Sequence, residues 1–531
     1  MAATNTNSQI DPNSGFCSET NIFHSLRPSI TLPPPSQPLS VTQFAFSLLH
    51  SNITNISETP FLINTGNGHR VTFSEFLHQT KSLAFSLQEQ YSLSKGDVAF
   101  ILSHNSLQIP SLYFSLLSLG IIIATANPDG SISELTHQIQ LSRYTIAFAT
   151  SQTSHKLPPK LRTVMIDSPE FSSLLNSNIS ISIENRSSAI GVVINQSDVA
   201  AILFSSGTTG RNKGVLLTHR NFIAVMASHN ATYPFRDHIQ VVSMATRALF
   251  GVFGLTSLMR AVIMGETLLF LETFELEATL EAVDKYKVTC IPVSPSFIVA
   301  LVKSDLTNYH LSSLRTLICG GAPLGHKVSD NFREKFTNIG IINGYGLTET
   351  TSAGAVKICP QLGSVGGLRL SAILEAKIID PVTGETLSPG QRGELWLRGP
   401  TVMKGYVGDE KATAEALDSN GWLKTGDLCY FDFDGFLFIL DRLKEMIKCN
   451  GYQVVPAELE HLLLSNSDIV DAAVVQYPDE DAGQIPMAFV VGPYKKIQRV
   501  AFIDFIPKSV TGKILRRKLV NYALFDTVTE L

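Results

Sequence analysis

One stretch of the chain combines the residue types that bind anions. It reads LFSSGTTGRNKGVLLTH, from Leu203 to His219, and mixes glycines with hydroxyl side chains and Lys213. Glycines let successive backbone N–H groups point inward, and hydroxyls and a lysine add donors, which is a pattern that binds phosphate. The same composition is typical of an ordinary loop. A Walker P-loop is incomplete here, because it needs glycine at Asn212 and Ser or Thr in place of Gly214.

Five further segments carry charged or glycine-rich motifs. They are NGYGLTETTS (343–352), GELWLRGPTVMKGY (393–406), GWLKTGD (421–427), DRLKEMIK (441–448) and PKSVTGKILRR (507–517). In this order, the motifs resemble those of the adenylate-forming acyl-CoA synthetase superfamily, in particular the plant 4-coumarate:CoA ligase-like proteins. The resemblance covers nearly the whole chain. It implies that a carboxylate and ATP give an acyl-adenylate and pyrophosphate, and that coenzyme A then captures the acyl group as a thioester.

The implied chemistry brings two anions together. A carboxylate that attacks the α-phosphate of ATP meets like charge, and unit charges about 4 Å apart at an effective dielectric near 20 repel by roughly 4 kcal/mol. Cations and Mg²⁺ must therefore lie between them. By resemblance, the nucleotide-binding residues are Ser205, Ser206, Gly207, Thr208, Thr209, Gly210 and Lys213 for the β- and γ-phosphates, Thr348 and Glu349 for the α-phosphate and Mg²⁺, Tyr345 between Gly344 and Gly346 for adenine, and Asp427 with Arg442 for the ribose.

These residues also fit ordinary structural roles. Without the resemblance, Thr348 fits a helix cap, Glu349 a first-turn carboxylate and Tyr345 a core aromatic residue. Asp427 and Arg442 fit a surface turn and an ion pair.

Residues near the C-terminal end are implied to act in turn. Lys513 matches the family lysine that reaches the carboxylate and the α-phosphate during adenylation, and Lys444 matches the hinge about which a small domain rotates. Both lysines belong to the implied ATP-binding set. Lys448 and Gln453 match residues that face the active site during thioester formation. Without the resemblance, Lys513 in GKILRRK also fits a solvated surface lysine.

The implied coenzyme A site is less basic than in the family pattern. Asn450 and Gly451 are the residues assigned to it by resemblance. Asn450 and Thr273 are neutral where relatives often carry basic residues, which predicts weaker affinity for coenzyme A.

The acyl-binding region departs from the family pattern. The run ATRALFGVFG (245–254) has Ala248 where relatives carry Pro, and Gly251 where they carry a His that gates the acyl pocket. Loss of that imidazole widens the site. The resemblance assigns the acyl pocket to Gly251, Phe253, Gly254, Ile318, Gly320 and Ala355. This small and apolar lining suits a bulky or elongated apolar acid, of fatty or oxylipin type, at least as well as a phenolic acid.

The small domain is shorter than the family pattern. The strand PMAFVV (486–491) joins PYKKIQRVAFI (493–503) directly at Gly492. Because parallel strands need a crossover of about a dozen residues or more, we predict a hairpin-like return here. The domain is then either rearranged or the product of a variant transcript or gene model. Lys513 lies beyond the junction, so whether the small domain brings it to the active site is in question.

These motifs need an α/β scaffold to position them. From about residue 70 to 440, β-branched runs alternate with helical segments such as LEATLEAVDKY (276–286); the runs include DVAFIL (97–102), TIAFA (145–149), TLLFL (267–271) and KVTCIPV (287–293). The alternation predicts α/β layers with a mainly parallel sheet. The apolar run SLYFSLLSLGIIIATA (111–126) is shorter than the about 20 residues of a membrane span, and predicts a buried helix, a junction at Gly120 and a buried strand.

We expect three regions along the chain. Residues 1–40 end in the Pro-rich RPSITLPPPSQP and predict an extended arm. Residues 41–441 form a large AMP-binding adenylation domain of layered α/β subdomains. Residues 442–531 form a hinge and a small, mobile α+β lid domain, shortened near 491–492. The boundary falls at Asp441 to Lys444, where a charged connector precedes a helix that begins with proline.

Composition limits the classes of function. The length of 531 residues exceeds the size at which one hydrophobic core stops growing, and 44% hydrophobic and 16% charged residues indicate a folded globular protein. A net charge of -5 with scattered cations argues against a nucleic-acid partner. The six cysteines lack paired spacing, which predicts free thiols. With no apolar signal core and no C-terminal S-K-L, we expect a cytoplasmic protein without a transmembrane segment, although the family also allows a peroxisomal location.

We therefore predict an ATP- and Mg²⁺-dependent carboxylate:CoA ligase that acts on a phenylpropanoid or a fatty or oxylipin-type acid. Its partners are the small-molecule acid and coenzyme A. One alternative is a catalytically impaired relative that binds nucleotide or acyl-adenylate, motivated by Gly251 and the short small domain. A second is a P-loop-type phosphotransferase, motivated by the glycine-rich stretch alone.

Overall fold

The computed structural model describes residues 10–177, 192–205, 212–232, 240–271, 274–322, 324–357, 368–449, 452–464, 466, 469, 471–479, 483–491, 500–503, 505–509 and 513–525. Its helices are α1 (Val41–Asn52), α2 (Phe73–Tyr91), α3 (Gln108–Ser118), α4 (Ile132–Ser142), α5 (Pro169–Leu175), α6 (His219–Thr232), α7 (Val252–Met264), α8 (Leu276–Tyr286), α9 (Pro295–Lys303), α10 (His326–Lys335), α11 (Glu410–Ala416), α12 (Pro456–Leu464) and α13 (Arg516–Phe525).

The strands up to residue 357 are β1 (Phe16–Cys17), β2 (Ile22–His24), β3 (Pro60–Asn64), β4 (Arg70–Thr72), β5 (Val98–Leu102), β6 (Ile122–Ala126), β7 (Ile146–Ala149), β8 (Thr163–Met165), β9 (Val199–Ser205), β10 (Lys213–Thr218), β11 (Val242–Met244), β12 (Thr267–Phe270), β13 (Cys290–Val293), β14 (Thr316–Gly320), β15 (Gly340–Tyr345) and β16 (Ala355–Lys357). The later strands are β17 (Arg369–Leu370), β18 (Glu375–Ile379), β19 (Gly393–Arg398), β20 (Gly405–Tyr406), β21 (Leu423–Phe431), β22 (Leu437–Arg442), β23 (Ile447–Cys449), β24 (Tyr452–Val454), β25 (Asp471–Asp479), β26 (Gly483–Val491) and β27 (Val500–Phe502).

Two large, mainly parallel sheets form the body of the molecule. The first has the order β20-β10-β9-β6-β5-β7-β8, and the second the order β17-β16-β15-β14-β13-β11-β12-β3-β4. The largest core joins side chains of both sheets with α1, α3, α6 and α7, so these helices form a layer between the sheets. The predicted α/β class with a mainly parallel sheet is therefore confirmed.

Local sequence signals account for many of these elements. The four β-branched runs fall on β5, β7, β12 and β13, and α8 covers the predicted helix from Leu276 to Tyr286. The apolar run forms α3 and then β6, and Gly120 between them has φ +69, which favours glycine. Three helices begin at capping boxes, formed by Ser40 with Gln43, Thr72 with Glu75, and Ser131 with Glu134.

A third, antiparallel sheet leads the chain to the hinge. Its order is β1-β2-β18-β19-β21-β22, and β22 ends at Arg442. The predicted extended arm thus contributes two short strands to this sheet, within the described residues 10–40. The described cysteines are all free thiols, as the sequence predicted. In the described part of the chain, no helix has both the length and the apolar character that a membrane span requires.

The small domain contains the sheet β24-β23-β26-β25, with β27 beside β26, and the helices α12 and α13. β27 pairs with β26 in parallel, with Ala488 opposite Val500 and Val490 opposite Phe502. The predicted hairpin-like return is therefore wrong. Because β27 is three residues long, the chain has to return only about 10 Å from the end of β26 to the start of β27. The eight residues between the two strands can reach up to roughly 26 Å, which is enough. Those residues, 492–499, lie outside the described part.

Candidate active site

A cavity of about 1770 Å³ lies where the parallel strands β14 and β15 end and the small domain covers them. Carboxyl ends of parallel strands are the usual ligand sites of α/β folds. Of the residues assigned from the sequence, the cavity wall includes Ser205, Lys213, Gly251, Phe253, Gly254, Ile318, Gly320, Gly344, Tyr345, Gly346, Thr348, Glu349, Asp427, Arg442, Lys444 and Lys513. The fold thus brings motifs more than 300 residues apart to one cavity.

Glu349 lies in a short 3₁₀ turn, Thr348–Thr350, beside the two ends of the glycine-rich loop. Its Oε1 accepts hydrogen bonds from the Ser205 hydroxyl (3.2 Å) and the Tyr406 hydroxyl (3.0 Å). Lys213 is paired with Ser205 across β9 and β10, and its Nζ lies 4.7 Å from the centre of the Tyr406 ring. A carboxylate grouped with hydroxyl oxygens fits a hard cation such as Mg²⁺, and the nearby lysine fits a phosphate.

The buried Asp427 and the partly buried Arg442 form an ion pair at the register position where β21 faces β22. The Arg442 Nε lies 2.6 Å from Asp427 Oδ1, and the Tyr345 hydroxyl donates to Asp427 Oδ2 at 2.5 Å. Burial raises the pKa of Asp427, and Arg442 opposes that rise. Gly426, with φ +70, forms the bend that turns Asp427 toward the cavity, and Gly354 leaves space for the Tyr345 ring, which a Cβ there would approach to 2.7 Å.

Three cations, Arg442, Lys444 and Lys513, line one part of the cavity. Lys513 and Lys444 lie close enough to Arg442 and to each other to interact electrostatically. Burial and then Arg442 lower the pKa of Lys513, and the same causes, together with Lys513, lower the pKa of Lys444 to about 8. Lys513 is held by its backbone N–H, which donates to the Ser509 hydroxyl (3.2 Å). Mutually repelling cations in a cavity form a site for an anion.

We expect ATP binding to take up a proton at Lys444. The pKa of Lys444 is about 8 in the free protein, and an adjacent polyanion stabilises the ammonium and raises that pKa. By linkage, the affinity for ATP falls as pH rises through the free-protein pKa. Calorimetric titration from about pH 7.5 to 9.5, in buffers of different ionisation heat, measures this uptake.

Two variants at position 444 separate proton uptake at Lys444 from proton uptake at other groups. Lys444→Met should weaken ATP binding and reduce the proton uptake, whereas Lys444→Arg should keep the affinity nearly independent of pH, because a guanidinium stays charged over this range. Proton uptake of the same size in Lys444→Met would contradict the assignment.

The small domain is docked at the hinge by Asp441. Its Oδ2 accepts from the Ala457 N–H (3.0 Å) in the first turn of α12, on the far side of the hinge. With Lys513 in the cavity, this is the arrangement that the sequence analysis assigned to adenylation. Lys448 is exposed and does not line the described cavity wall. In the antiparallel pairing of β23 with β24, its register partner is Gln453. The roles of Lys448 and Gln453 in thioester formation remain predictions.

The cavity is open at Gly251. This residue precedes α7 with φ -98, and a Cβ there would meet only the Ala248 carbonyl oxygen, at 3.6 Å. Farther along, a Cβ at Gly320 would lie 3.5 Å from the Phe253 ring, so the glycine makes room for that ring. Small residues at both positions therefore widen this part of the cavity.

Ala355, which the sequence assigned to the acyl pocket, does not line the described cavity wall. It is fully buried and packs in the core beside the antiparallel sheet, with Phe23 and Leu370 among its cluster. Side chains alternate between the two faces of a strand, and the neighbours Gly354 and Val356 line the cavity instead.

Several polar residues of the cavity wall were missed from the sequence. Arg247 is buried, with its guanidinium 5.3 Å from the centre of the Phe253 ring, and burial lowers its pKa. The charged residue within the otherwise apolar run ATRALFGVFG was the available signal. His229 and Arg260 also line the cavity, and they had no motif to mark them. The assigned Ser206, Gly207, Thr208, Thr209, Gly210, Asn450 and Gly451, and the neutral Thr273, lie outside the described residues.

The fold is that of the adenylate-forming enzymes, with a large cavity beneath a small C-terminal domain. The family model of the AMP-binding enzymes matches residues 50–407, and the model of the AMP-binding enzyme C-terminal domain matches residues 458–529. The chain belongs to this family of adenylate-forming acyl-CoA synthetases, and it is an acid–thiol ligase of the 4-coumarate:CoA ligase-like kind.

Relatives and solved structures agree with this assignment. The chain is 52% identical to 4-coumarate--CoA ligase-like 9 of Arabidopsis thaliana, covering 100% of both chains, and 40% identical to Peroxisomal OPC-8:0-CoA ligase 1 of the same plant, covering 97% of this chain and 98% of that one. The fold matches the o-succinylbenzoate CoA synthetase MenE from Bacillus subtilis in complex with its acyl-adenylate intermediate, with a TM-score of 0.74 and 26% identity over 89% of this chain and 97% of that one.

The alignment with the Arabidopsis ligase-like 9 protein spans 567 positions, against 531 residues in this chain. The chain is thus shorter than the alignment by about the length of a strand connection and a helix.

Proposed function

We propose that this chain activates an elongated or bulky apolar carboxylic acid as its acyl-adenylate and transfers the acyl group to coenzyme A. The observation that carries the proposal is the meeting of Lys513, Lys444 and Arg442 in one cavity that continues past Gly251 into the layer between α6 and α7. Cations at one end and a long passage at the other fit a substrate with an anionic head and an extended body.

The described residues supply what the first half-reaction needs. A carboxylate oxygen attacks the α-phosphorus, a new P–O bond forms, and the bond to pyrophosphate breaks. Lys513 and Arg442 neutralise charge where the two anions meet, which is the largest catalytic contribution available in an enclosed site. Asp427 offers carboxylate oxygens to the ribose hydroxyls, and Glu349 with Ser205 would hold Mg²⁺, which supplies charge neutralisation at the phosphates.

In the second half-reaction the thiol sulfur of coenzyme A attacks the acyl carbon, a thioester bond forms and AMP leaves. The Asp441 contact with α12 has to break if the small domain rotates about Lys444 to admit the thiol. Lys448 and Gln453 on the β23–β24 hairpin are our candidates for the residues that then face the site.

The test is carboxylate-dependent exchange of labelled pyrophosphate into ATP, with cinnamates, benzoates and saturated acids of increasing length. We expect medium- and long-chain aliphatic acids to match or exceed 4-coumarate, because the passage beyond Gly251 is open. A clear preference for hydroxycinnamates would contradict this ranking. ATP binding without exchange for any acid would favour the impaired relative, whereas the comparisons lend no support to a phosphotransferase.

A further inference from the structure

Tyr406 contacts two oppositely charged side chains of the candidate active site. Its hydroxyl donates a hydrogen bond to Glu349 Oε1 at 3.0 Å, and the centre of its ring lies 4.7 Å from the Lys213 Nζ. All three residues line the cavity. The carboxylate fits Mg²⁺ and the lysine fits a phosphate, so one neutral side chain touches both halves of a site for a metal-bound nucleotide.

Strand pairing fixes the backbone at Tyr406. The residue is the register partner of Val215 where β20 pairs with β10, and its N–H donates to the Thr413 hydroxyl at 2.9 Å. The next residue, Val407, donates its N–H to the Gly214 carbonyl at 2.8 Å. These bonds hold the tyrosine independently of the two charged side chains, so it can act as a fixed support for them.

The Glu349 carboxylate is held through one of its two oxygens. Oε1 accepts hydrogen bonds from the hydroxyls of Ser205 and Tyr406, whereas Oε2 accepts none from the residues that the structure describes. The backbone carbonyl of Glu349 also accepts from the Met403 N–H at 2.8 Å. A carboxylate ordered in this way offers its second oxygen to a cation without first losing rotamer freedom.

The Tyr406 hydroxyl is suited to hold a carboxylate without neutralising it. Burial and the charge of Glu349 raise the pKa of Tyr406, so the phenol keeps its proton and remains a donor. A neutral donor leaves the negative charge of the carboxylate in place. Glu349 therefore stays available to a metal cation.

The Tyr406 ring acts on Lys213 in a comparable way. The negative face of an aromatic ring attracts an ammonium within about 6 Å of its centre, and it does not cancel the positive charge as a carboxylate would. Within the described part of the chain, Lys213 and Glu349 form no ion pair with each other. Without the ring beside them, these opposite charges could pair, and each would then be less available to a ligand.

We infer that Tyr406 is a positioning residue for the first half-reaction. Its hydroxyl fixes Glu349 for Mg²⁺, its ring fixes Lys213 for the phosphates of ATP, and its presence keeps the two charges from pairing. This inference rests on the proposed ligase function and adds to it a residue that acts through two others.

The test measures how much Mg²⁺ strengthens nucleotide binding. The ligand is an ATP analogue with a methylene bridge between its α- and β-phosphates, which cannot be cleaved there. Calorimetry on the full chain gives its dissociation constant once with Mg²⁺ and once with a chelator. The ratio of the two constants is the metal-dependent gain in affinity, which reports on Glu349, whereas the Mg²⁺-free constant reports on Lys213 and the other phosphate contacts.

The hydroxyl and the ring can be removed one at a time. Tyr406→Phe removes the hydroxyl alone, and we expect the metal-dependent gain to fall by roughly tenfold or more, the effect of one hydrogen bond to a charged group, with an unchanged Mg²⁺-free constant. Tyr406→Leu also removes the ring, so the Mg²⁺-free affinity should fall as well, by roughly threefold to thirtyfold. A tyrosine that served only the fold would change both constants together.

Tyr522→Phe is the matched control. Tyr522 is exposed in α13 and does not line the described cavity wall, so both constants should stay as they are in the unmodified chain. Pyrophosphate exchange is measured on the same preparations.

Three results would overturn the inference. They are an undiminished metal-dependent gain in Tyr406→Phe, a larger gain in that variant, because the hydroxyl would then compete with the metal, and an equal loss of Mg²⁺-free affinity in Tyr406→Phe and Tyr406→Leu. If the unmodified chain catalyses exchange, any of these removes only the role of Tyr406. The expected split between the two constants, without exchange for any acid, would support the role of Tyr406 in binding and contradict the ligase function.

Discussion

Replacing Lys513 by alanine is expected to lower carboxylate-dependent pyrophosphate exchange by roughly 100- to 1000-fold, the effect of removing one preorganised electrostatic contact to the transition state. Lys513 lies in the cavity beside Arg442 and interacts with Asp427, where we propose that the carboxylate and the α-phosphate meet. The short small domain thus still delivers its lysine, although β26 and β27 are joined by eight residues.

The loss should be confined to chemistry. Burial and Arg442 lower the pKa of Lys513, so its charge is unfavourable in the empty site, and Lys513→Ala should unfold at the same temperature or a higher one. ATP binding, measured by calorimetry, should persist through Ser205, Lys213 and Arg442. Thioester formation from supplied acyl-adenylate should fall much less than exchange, since Lys513 is assigned to the first half-reaction alone.

Arg517→Ala is the matched control. Arg517 lies four residues after Lys513, in the first turn of α13; it is exposed and does not line the described cavity wall, so its removal takes away one positive charge near Lys513 without touching the site. Equal losses in the two variants would mean that Lys513 acts through the general field of the small domain. Full exchange in Lys513→Ala would remove it from the catalytic residues.

The fold could be predicted wherever the signal was local. Periodicity identified α8 and the strands β5, β7, β12 and β13, because burial on one or two faces sets the order of apolar residues along each element. The path between β26 and β27 could not be predicted in this way. Whether a short connection can join two parallel strands depends on how far the chain must return to the start of the second strand. Here that distance is short because β27 has only three residues, and the run PYKKIQRVAFI (493–503) does not reveal this length.

The site could be predicted where motifs carry it and not where packing does. Asp427, Glu349 and Lys513 follow turns with glycine, hydroxyl or charge signatures, and the structure brings them to one cavity. His229 shows the opposite case, since it lies in α6 with no motif to mark it, and only the packing of α6 against α7 turns it toward the cavity. Tyr406 is a similar case. Its hydroxyl donates to Glu349 and its ring lies beside the Lys213 ammonium, because β20 pairs with β10, and the sequence of the motif does not reveal that pairing.

Replacing Arg516 by methionine is expected to destabilise the small domain by about 3–5 kcal/mol, the usual cost of removing one partner from a buried ion pair. Arg516 Nη2 lies 2.8 Å and 2.9 Å from the two carboxylate oxygens of Glu460, and its Nη1 lies 3.0 Å from Glu445 Oε2. Burial opposes the charge on Arg516, but Glu460, Glu445 and Asp441 outweigh that effect and raise its pKa.

The arginine joins three parts of the small domain. It lies at the start of α13, Glu460 belongs to α12, and Glu445 follows the hinge residue Lys444. Burial raises the pKa of Glu460, with Arg516 opposing the rise, so without Arg516 that carboxylate would be left buried and uncompensated. Loss of the arginine should therefore loosen α12 and α13 together, and misplace Lys513 three residues before it.

Hydrogen exchange on the full chain tests this, because it resolves local opening that a single melting temperature would average. In Arg516→Met, amides of α12 and α13 should exchange faster by a factor of roughly 100 or more, while β5 and β6 in the large domain keep their protection and serve as internal control. Adding Glu460→Leu removes the carboxylate that Arg516→Met leaves without its partner, and should recover part of the protection. Replacing both members of a buried ion pair by apolar groups costs less stability than removing only one of them. If protection in α12 and α13 is unchanged in the single variant, the network of Arg516 does not hold the lid together, and Lys513 must be positioned by its own loop, through Ser509.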